Sequence, residues 1–269
     1  MTVNPPISLQ KPTSKWKAWH TLSLLSILVA TALASLLIPL SLRLWAWLAT
    51  LVLLTLFAAV AGQGITGYWR GVLIDGRNKM SLSRLQTVLW VLVILSAFLT
   101  AALMNIRNGQ TDPLSIAIPT GIWILLGIST TSLVGSPLIL NSKKSQPANA
   151  DETERNLDLL KAQDLQQPDA VTNQGQIIVN TSPENAQWAD LFRGEETGNG
   201  AQLDMGKIQL FYFTFIIVLV YSITLGALFL SQEKVISAFP NLDTGVLVLL
   251  GISHTGYLTN KAIPHSQSL

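Results

Sequence analysis

The sequence predicts an all-α polytopic membrane protein of six transmembrane helices, in which an N-terminal hairpin precedes two parallel copies of a duplicated hairpin, with both termini cytoplasmic. Three observations predict this. Of 269 residues, 49% are hydrophobic and 12% charged, with a mean hydropathy of +0.42, the balance of a chain whose solvent is largely lipid. Six apolar runs are each long enough to cross roughly 30 Å of hydrocarbon. A twelve-residue pattern from the fourth run recurs in the sixth.

The runs lie at about 20–40, 43–61, 87–106, 116–138, 208–230 and 244–260. "IPLSLRLW" joins the first two, and Pro39, with no N–H to continue a helical ladder, turns them into a tight hairpin. Lys11, Lys15 and Lys17 ahead of Ala30 and Ala32 also have the form of a signal peptide, but the apolar stretch continues well past that cleavage point.

Orientation follows from the cations, because Lys- and Arg-rich loops stay on the cytoplasmic side. With the N-terminus inside, the inner segments hold 14 of the 17 Lys and Arg residues, and the outer ones hold Arg43, Arg107 and Lys234. Trp16, Trp19, Trp45, Trp47 and Trp90 fall near the ends of runs, as an interfacial aromatic belt requires. The chain then divides into an N-terminal tail and hairpin (1–61), a cytoplasmic loop (62–86), a first repeat (87–140), an acidic cytoplasmic insertion (141–206) and a second repeat with the C-terminal tail (207–269).

The duplication rests on "TGIWILLGISTT" at 120–131, which aligns without gaps on "TGVLVLLGISHT" at 244–255 with eight of twelve positions identical. Upstream, "SRLQTVLWVL" at 83–92 matches "GKIQLFYFTF" at 206–215, Arg84 falling on Lys207 and Gln86 on Gln209. One complete hairpin separates equivalent helices, so both copies start from the same side and the repeat is parallel.

Gln86, Gln209, Ser129, Thr131, Ser253, His254 and Thr255 are the candidate intramembrane polar or pore-lining residues, since a polar side chain in hydrocarbon seeks a protein partner or a water path. Gly127, Thr131 and Gly135, and likewise Gly251, Thr255 and Thr259, recur every four residues and predict grooves in which helices approach closely. Arg70, Arg77, Lys79, Arg84 and Lys207 are the candidate lipid-headgroup contacts, their long stems suited to snorkelling. Asp75-Gly76 between short apolar runs is a hairpin signal. Asp243 is placed to cap the last helix.

The insertion carries 11 of the 15 acidic residues and five basic ones, a net charge of −6. "DETERNLDLLKAQDLQQ" predicts a short helix with Leu157, Leu160 and Lys161 on one side, and "GQIIVN" an extended segment. "SPENAQWADLF" predicts a helix capped by Ser182, opened by Pro183, with Trp188, Leu191 and Phe192 sharing a partner-binding face. "RGEETGNGAQLD" is acidic and glycine-rich, but its spacing is not that of a calcium loop.

"MSLSRLQTVLWVLVILSAFL", "LLGIS", "DMGKIQLFYFTF" and "LLGISHTGYLTNKAIP" together resemble a scattered group of bacterial multi-pass membrane proteins that share the two-copy arrangement, an Arg/Lys-x-Gln opening and a Gly-Ile-Ser return. The resemblance covers about 87–140 and 183–264. It implies a bacterial inner-membrane setting and carries over no catalytic residue.

Several chemistries are excluded by content. There is no cysteine, and His20, His254 and His265 stand singly, so neither a cofactor nor a metal site is expected. No Ser/His/Asp set, phosphate loop or paired carboxylate is legible, so no catalytic residue is assigned and the chain is not expected to be an enzyme. A formal charge of +2 without a basic stripe argues against nucleic acid. The expected partners are the bilayer, further copies of the chain in a homo-oligomer, and a cytoplasmic protein reached through 141–206. A scaffold, sensor or assembly component is the first reading of function, and an oligomeric channel the second.

Overall fold

The computed structural model describes residues 15–162, 170–231, 233 and 235–266. Lys11 and Lys234 of the charge count, and 163–169 of the acidic segment, lie outside the described residues.

The leading hairpin pairs α1 (Ala18–Leu37) with α2 (Arg43–Thr66). Ile38 and Pro39 take extended backbone, which ends α1, and a 3-10 turn at Leu40–Leu42 runs straight into α2. Ser35 and Thr50 lock the two arms through a buried hydroxyl pair at 3.1 Å. α2 stops at Gly67, whose φ of 85° lets its N–H return to the Gln63 carbonyl at 2.8 Å. The next loop folds back as the Asp75-Gly76 signal requires, with a bridge between Ile74 and Met80.

The rest follows as α3 (Leu82–Arg107), α4 (Thr120–Lys144), α5 (Ala150–Ala162), the strands β1 (Val171–Gln174) and β2 (Ile177–Asn180), then α6 (Met205–Leu230) and α7 (Thr244–Ala262). α3 and α6 are both 26 residues long, and α4 and α7 both start at the threonine of a Thr-Gly pair. Their N-caps also correspond: Ser81 Oγ accepts from the Arg84 N–H, and Asp204 Oδ1 from the Lys207 N–H at 3.1 Å. Asp243 caps α7 by accepting from the Gly245 N–H at 2.8 Å.

Among the described residues, five helical segments are long and apolar enough to cross a membrane: Ala18–Leu37, Leu40–Thr66, Leu82–Arg107, Thr120–Lys144 and Met205–Leu230. α7, at 19 residues, is not among them, because its second half carries Ser253, His254, Thr255, Thr259, Asn260 and Lys261. The surface is apolar where that of a water-soluble bundle is polar, and some polar side chains are fully buried. Leu22, Leu25 and Ile223 lie outward and exposed, while Thr50, Ser96 and Ser132 are wholly buried.

α3 is the central staff, half of its apolar stretch being buried. Ala97 and Ala101 keep it slim, and against it and its own Trp90 pack Trp47, Tyr221, Leu225, Phe229 and Leu250 from α2, α6 and α7. Trp47 Nε1 donates to Ser96 Oγ at 3.0 Å, satisfying a polar handle that lipid would leave bare. At the end of the bundle opposite the insertion, Arg107 donates to the carbonyls of Ser35 (3.1 Å) and Ile38 (2.5 Å), capping α1. Beside it the Asn105 amide exchanges two hydrogen bonds with the backbone of Ile236, and a parallel bridge joins Ala117 to Ala238.

Four expectations need correction. The chain is mostly but not purely helical, since β1 and β2 pair antiparallel from Val171 opposite Asn180 to Gln174 opposite Ile177. The helix expected over "SPENAQWADLF" is two 3-10 turns, Pro183–Asn185 and Trp188–Leu191, with Ala186 extended between them. Its competitor is Asp190, whose carboxylate accepts from the backbone N–H groups of Gln187 (2.8 Å) and Met80 (3.3 Å), bonds that a continuous helix would forbid. Trp188, Leu191 and Phe192 therefore do not share a face: Trp188 is 57% exposed, Leu191 is buried near Leu73, Leu210 and Tyr257, and Phe192 packs edge-on against Phe211. Finally, the small-residue grooves are not the main helix contact within the chain: a Cβ added at Gly127 or Gly251 meets nothing within 4 Å, Thr131, Thr255 and Thr259 are exposed, and only Gly135 lies against the facing helix, at Leu258.

Candidate functional site

The α4–α7 contact is built instead from hydroxyl groups one helical turn apart. Ser129, Ser132 and Ser136 on α4 face Ser253, His254, Tyr257 and Lys261 on α7, all of them buried. From α3, the buried Gln86 closes the cluster: its Nε2 donates to His254 Nε2 and, at 3.5 Å, to Ser129 Oγ. On the other side of the ring, Nδ1 of the imidazole lies 2.5 Å from Ser132 Oγ, so both ring nitrogens are hydrogen-bonded. One turn further, Ser136 accepts from Lys261 Nζ at 2.6 Å and lies 3.4 Å from the Tyr257 hydroxyl, over whose ring the ammonium sits at 4.7 Å. Gln86 Oε1 and Ser253 Oγ are buried with no partner among the described residues.

The seam ends on a carboxylate. Lys261 Nζ reaches Glu195 Oε2 at 2.6 Å, and Glu195 Oε1 also takes Arg77 (2.8 Å) and Lys207 (3.1 Å). One acid from the insertion thus binds the loop before α3, the first turn of α6 and the last turn of α7. Burial pushes the Glu195 carboxyl up, but Arg77, Lys207 and Lys261 outweigh it and hold it well below its ordinary value. Its neighbour Glu196 accepts from Lys143 Nζ at 2.5 Å and from the backbone N–H groups of His265 and Ser266. Lys143 in turn donates to the carbonyls of Lys261 and Ile263, closing the end of α7. Asp190 holds Arg193 at 2.5 Å and faces Lys79 at 3.9 Å. Desolvation lowers Lys79 to about 8, against the pull of Asp190.

Residues 171–204 are therefore a cap docked on one end of the bundle, not a loose acidic arm. Of the five headgroup candidates, Arg77, Lys79 and Lys207 are each at most 5% exposed and turned into this network. Arg70 is half-buried, stacks over Tyr68 and donates to the Glu184 carbonyl, and Arg84 is half-buried at the edge of a cleft. Of the intramembrane candidates, Gln86, Ser129, Ser253 and His254 come together. Gln209, Thr131 and Thr255 point outward, and the Thr131 hydroxyl is satisfied by the Gly127 carbonyl one turn back.

Sequence reasoning missed Glu195, Glu196, Lys143 and Lys261. The signal present was electrical: an insertion of net charge −6 set among loops rich in Lys and Arg. Among the described residues, no cluster of three or more His, Cys, Asp or Glu side chains is arranged to hold a metal.

Fold and site together define a helical membrane protein with a charge-locked cap on one end of its bundle. No known protein family, curated protein or solved structure was found to match the chain.

Proposed function

We propose that this chain is a six-span inner-membrane scaffold or sensor, with both termini and the cap in the cytoplasm, that offers the cap to a soluble protein partner. The observation that carries this reading is the Glu195 network, which ties the cap to both inner-end helix turns of the second hairpin and to the loop leading into the first. A shift among the helices reaches the cap through those ion pairs without crossing a flexible linker. α7 serves as the sixth span, its exposed Val248, Leu249 and Ile252 facing lipid. Trp188, 57% exposed on the cap, is the natural partner contact.

The test is a photo-crosslinking amino acid at position 188, activated in intact cells. A discrete protein adduct is expected, and it should be lost in Glu195→Gln while membrane insertion persists. No adduct, or one indifferent to Glu195, would sink the platform reading. The channel reading draws on Gln209, Thr131 and Thr255, which face outward and would line water only in an oligomer; purified protein that conducts no current in planar bilayers would discard it.

A further inference from the structure

The capped ends of α3 and α4 enclose a cleft of about 530 Å³ bordered by the Ile74–Met80 turn. Its lining is divided. Arg77, Arg84 and Lys144 border it with the hydroxyls of Ser81 and Ser83, and so do the apolar side chains of Val88, Leu133, Pro137 and Leu140.

We propose that this cleft binds a phosphate-bearing amphiphile, the phosphate among Arg77, Arg84 and Lys144 and the alkyl part against Val88, Leu133 and Pro137. Four observations converge on it. Arg77 is 5% exposed, yet its Nη1 is buried with no partner among the described residues, a cost of the kind a ligand relieves. Nearby charge does not balance: the six buried cations Arg77, Lys79, Lys143, Arg193, Lys207 and Lys261 pair with only four carboxylates, the buried Asp190, Glu195 and Glu196 and the half-buried Asp75. Arg84 and Lys144, which add to that excess, form no ion pair among the described residues, Arg84 reaching only the Val72 carbonyl at 3.5 Å. The first turn of α3, a 26-residue helix, brings its positive end to the same place.

Asp75 also lines the cleft, but Arg77 already engages it through Nε at 3.0 Å and Nη2 at 2.6 Å. The same Nη2 donates to Glu195, so the cleft's occupant and the cap draw on one guanidinium. The inference rests on the membrane reading of the bundle and is independent of any protein partner at Trp188.

Full-length protein in nanodiscs of phosphatidylcholine, with and without phosphatidylglycerol, followed by native mass spectrometry, tests it; inorganic phosphate added to the phosphatidylcholine sample forms a separate arm. Wild type is expected to retain phosphatidylglycerol in preference to phosphatidylcholine. Arg84→Gln combined with Lys144→Gln should reduce that retention about tenfold. Leu133→Trp, which fills the cleft without removing a charge, should reduce it as well, whereas Arg70→Gln, outside the cleft, should not. Equal retention of the two lipids, or retention unchanged in both cleft variants, overturns the proposal. Binding of inorganic phosphate without lipid retention overturns the amphiphile and leaves a soluble phosphate compound as the source. Since no partner protein enters the readout, failure here and failure of the Trp188 adduct remain distinguishable.

Discussion

Glu195 and Lys79 are both buried in the cap interface, and they contribute to stability with opposite signs. Glu195 is a depressed carboxylate held by Arg77, Lys207 and Lys261, so its contribution is full above the ordinary carboxylate range and is lost as pH falls through its lowered value. Replacing it by glutamine strands two lysines and should cost the cap about 3–5 kcal/mol. Lys79 is a cation whose folded value of about 8 lies below its ordinary 10.5. Between those two values the opened cap binds more protons than the closed one, so cap stability should rise with pH across that window, by up to about 3 kcal/mol. Lys79→Met should flatten the rise and leave the cap at least as stable at pH 7, because Asp190 keeps Arg193. Proteolytic susceptibility of the cap from pH 7 to pH 10, wild type against variant, measures this; a rise undiminished in Lys79→Met would contradict the assignment.

The helices themselves were legible as elements, and their faces were not. Apolar run length located the five membrane-length helices among the described residues to within a few residues, because hydrocarbon dictates length and leaves little room for alternatives, and it located α7 as a shorter, more polar helix. The ends ran further than the apolar runs: α3 begins at Leu82 and α4 continues to Lys144, as Ser81 and the charged last turn allow. Which side of each helix meets a neighbour was another matter. Two glutamines at aligned positions have opposite fates, Gln86 buried against His254 and Gln209 exposed, since an apolar helix shows similar hydrophobicity all round and no moment points inward. The same blindness made Gly127 and Gly251 look like contacts, while Ser132 and Ser136 carry the packing. It follows that Gly127→Ala and Gly251→Ala should be tolerated and should raise helix stability by about 0.5–1 kcal/mol each, from backbone entropy alone. Ser132→Leu, in contrast, removes an imidazole partner and overfills the seam, and should destabilise by more than about 1 kcal/mol. Thermal unfolding in detergent ranks the three; losses in the glycine variants would restore the groove.

At the scale of the whole molecule, the acidic insertion and the basic residues at the facing helix ends and loop are two halves of one interface. Their separation along the chain hid this, because no local pattern states that a Gly-Glu-Glu-Thr turn will meet Lys207 and Lys261. Charge totals carried the hint, and only the fold brings the partners within hydrogen-bonding distance in a low-dielectric site, where such pairs gain enough to offset their desolvation. The result couples two hairpins, the loop before them and the C-terminal tail to a single compact cap.

Hydrogen–deuterium exchange of residues 190–204 in nanodisc-embedded protein tests that coupling most directly. Slow exchange in wild type, accelerated at least a hundredfold in Glu195→Gln while α3 and α6 stay protected, is the predicted result. Exchange in wild type at the rate of an unstructured peptide, or a Glu195→Gln profile identical to wild type, would contradict a charge-locked cap.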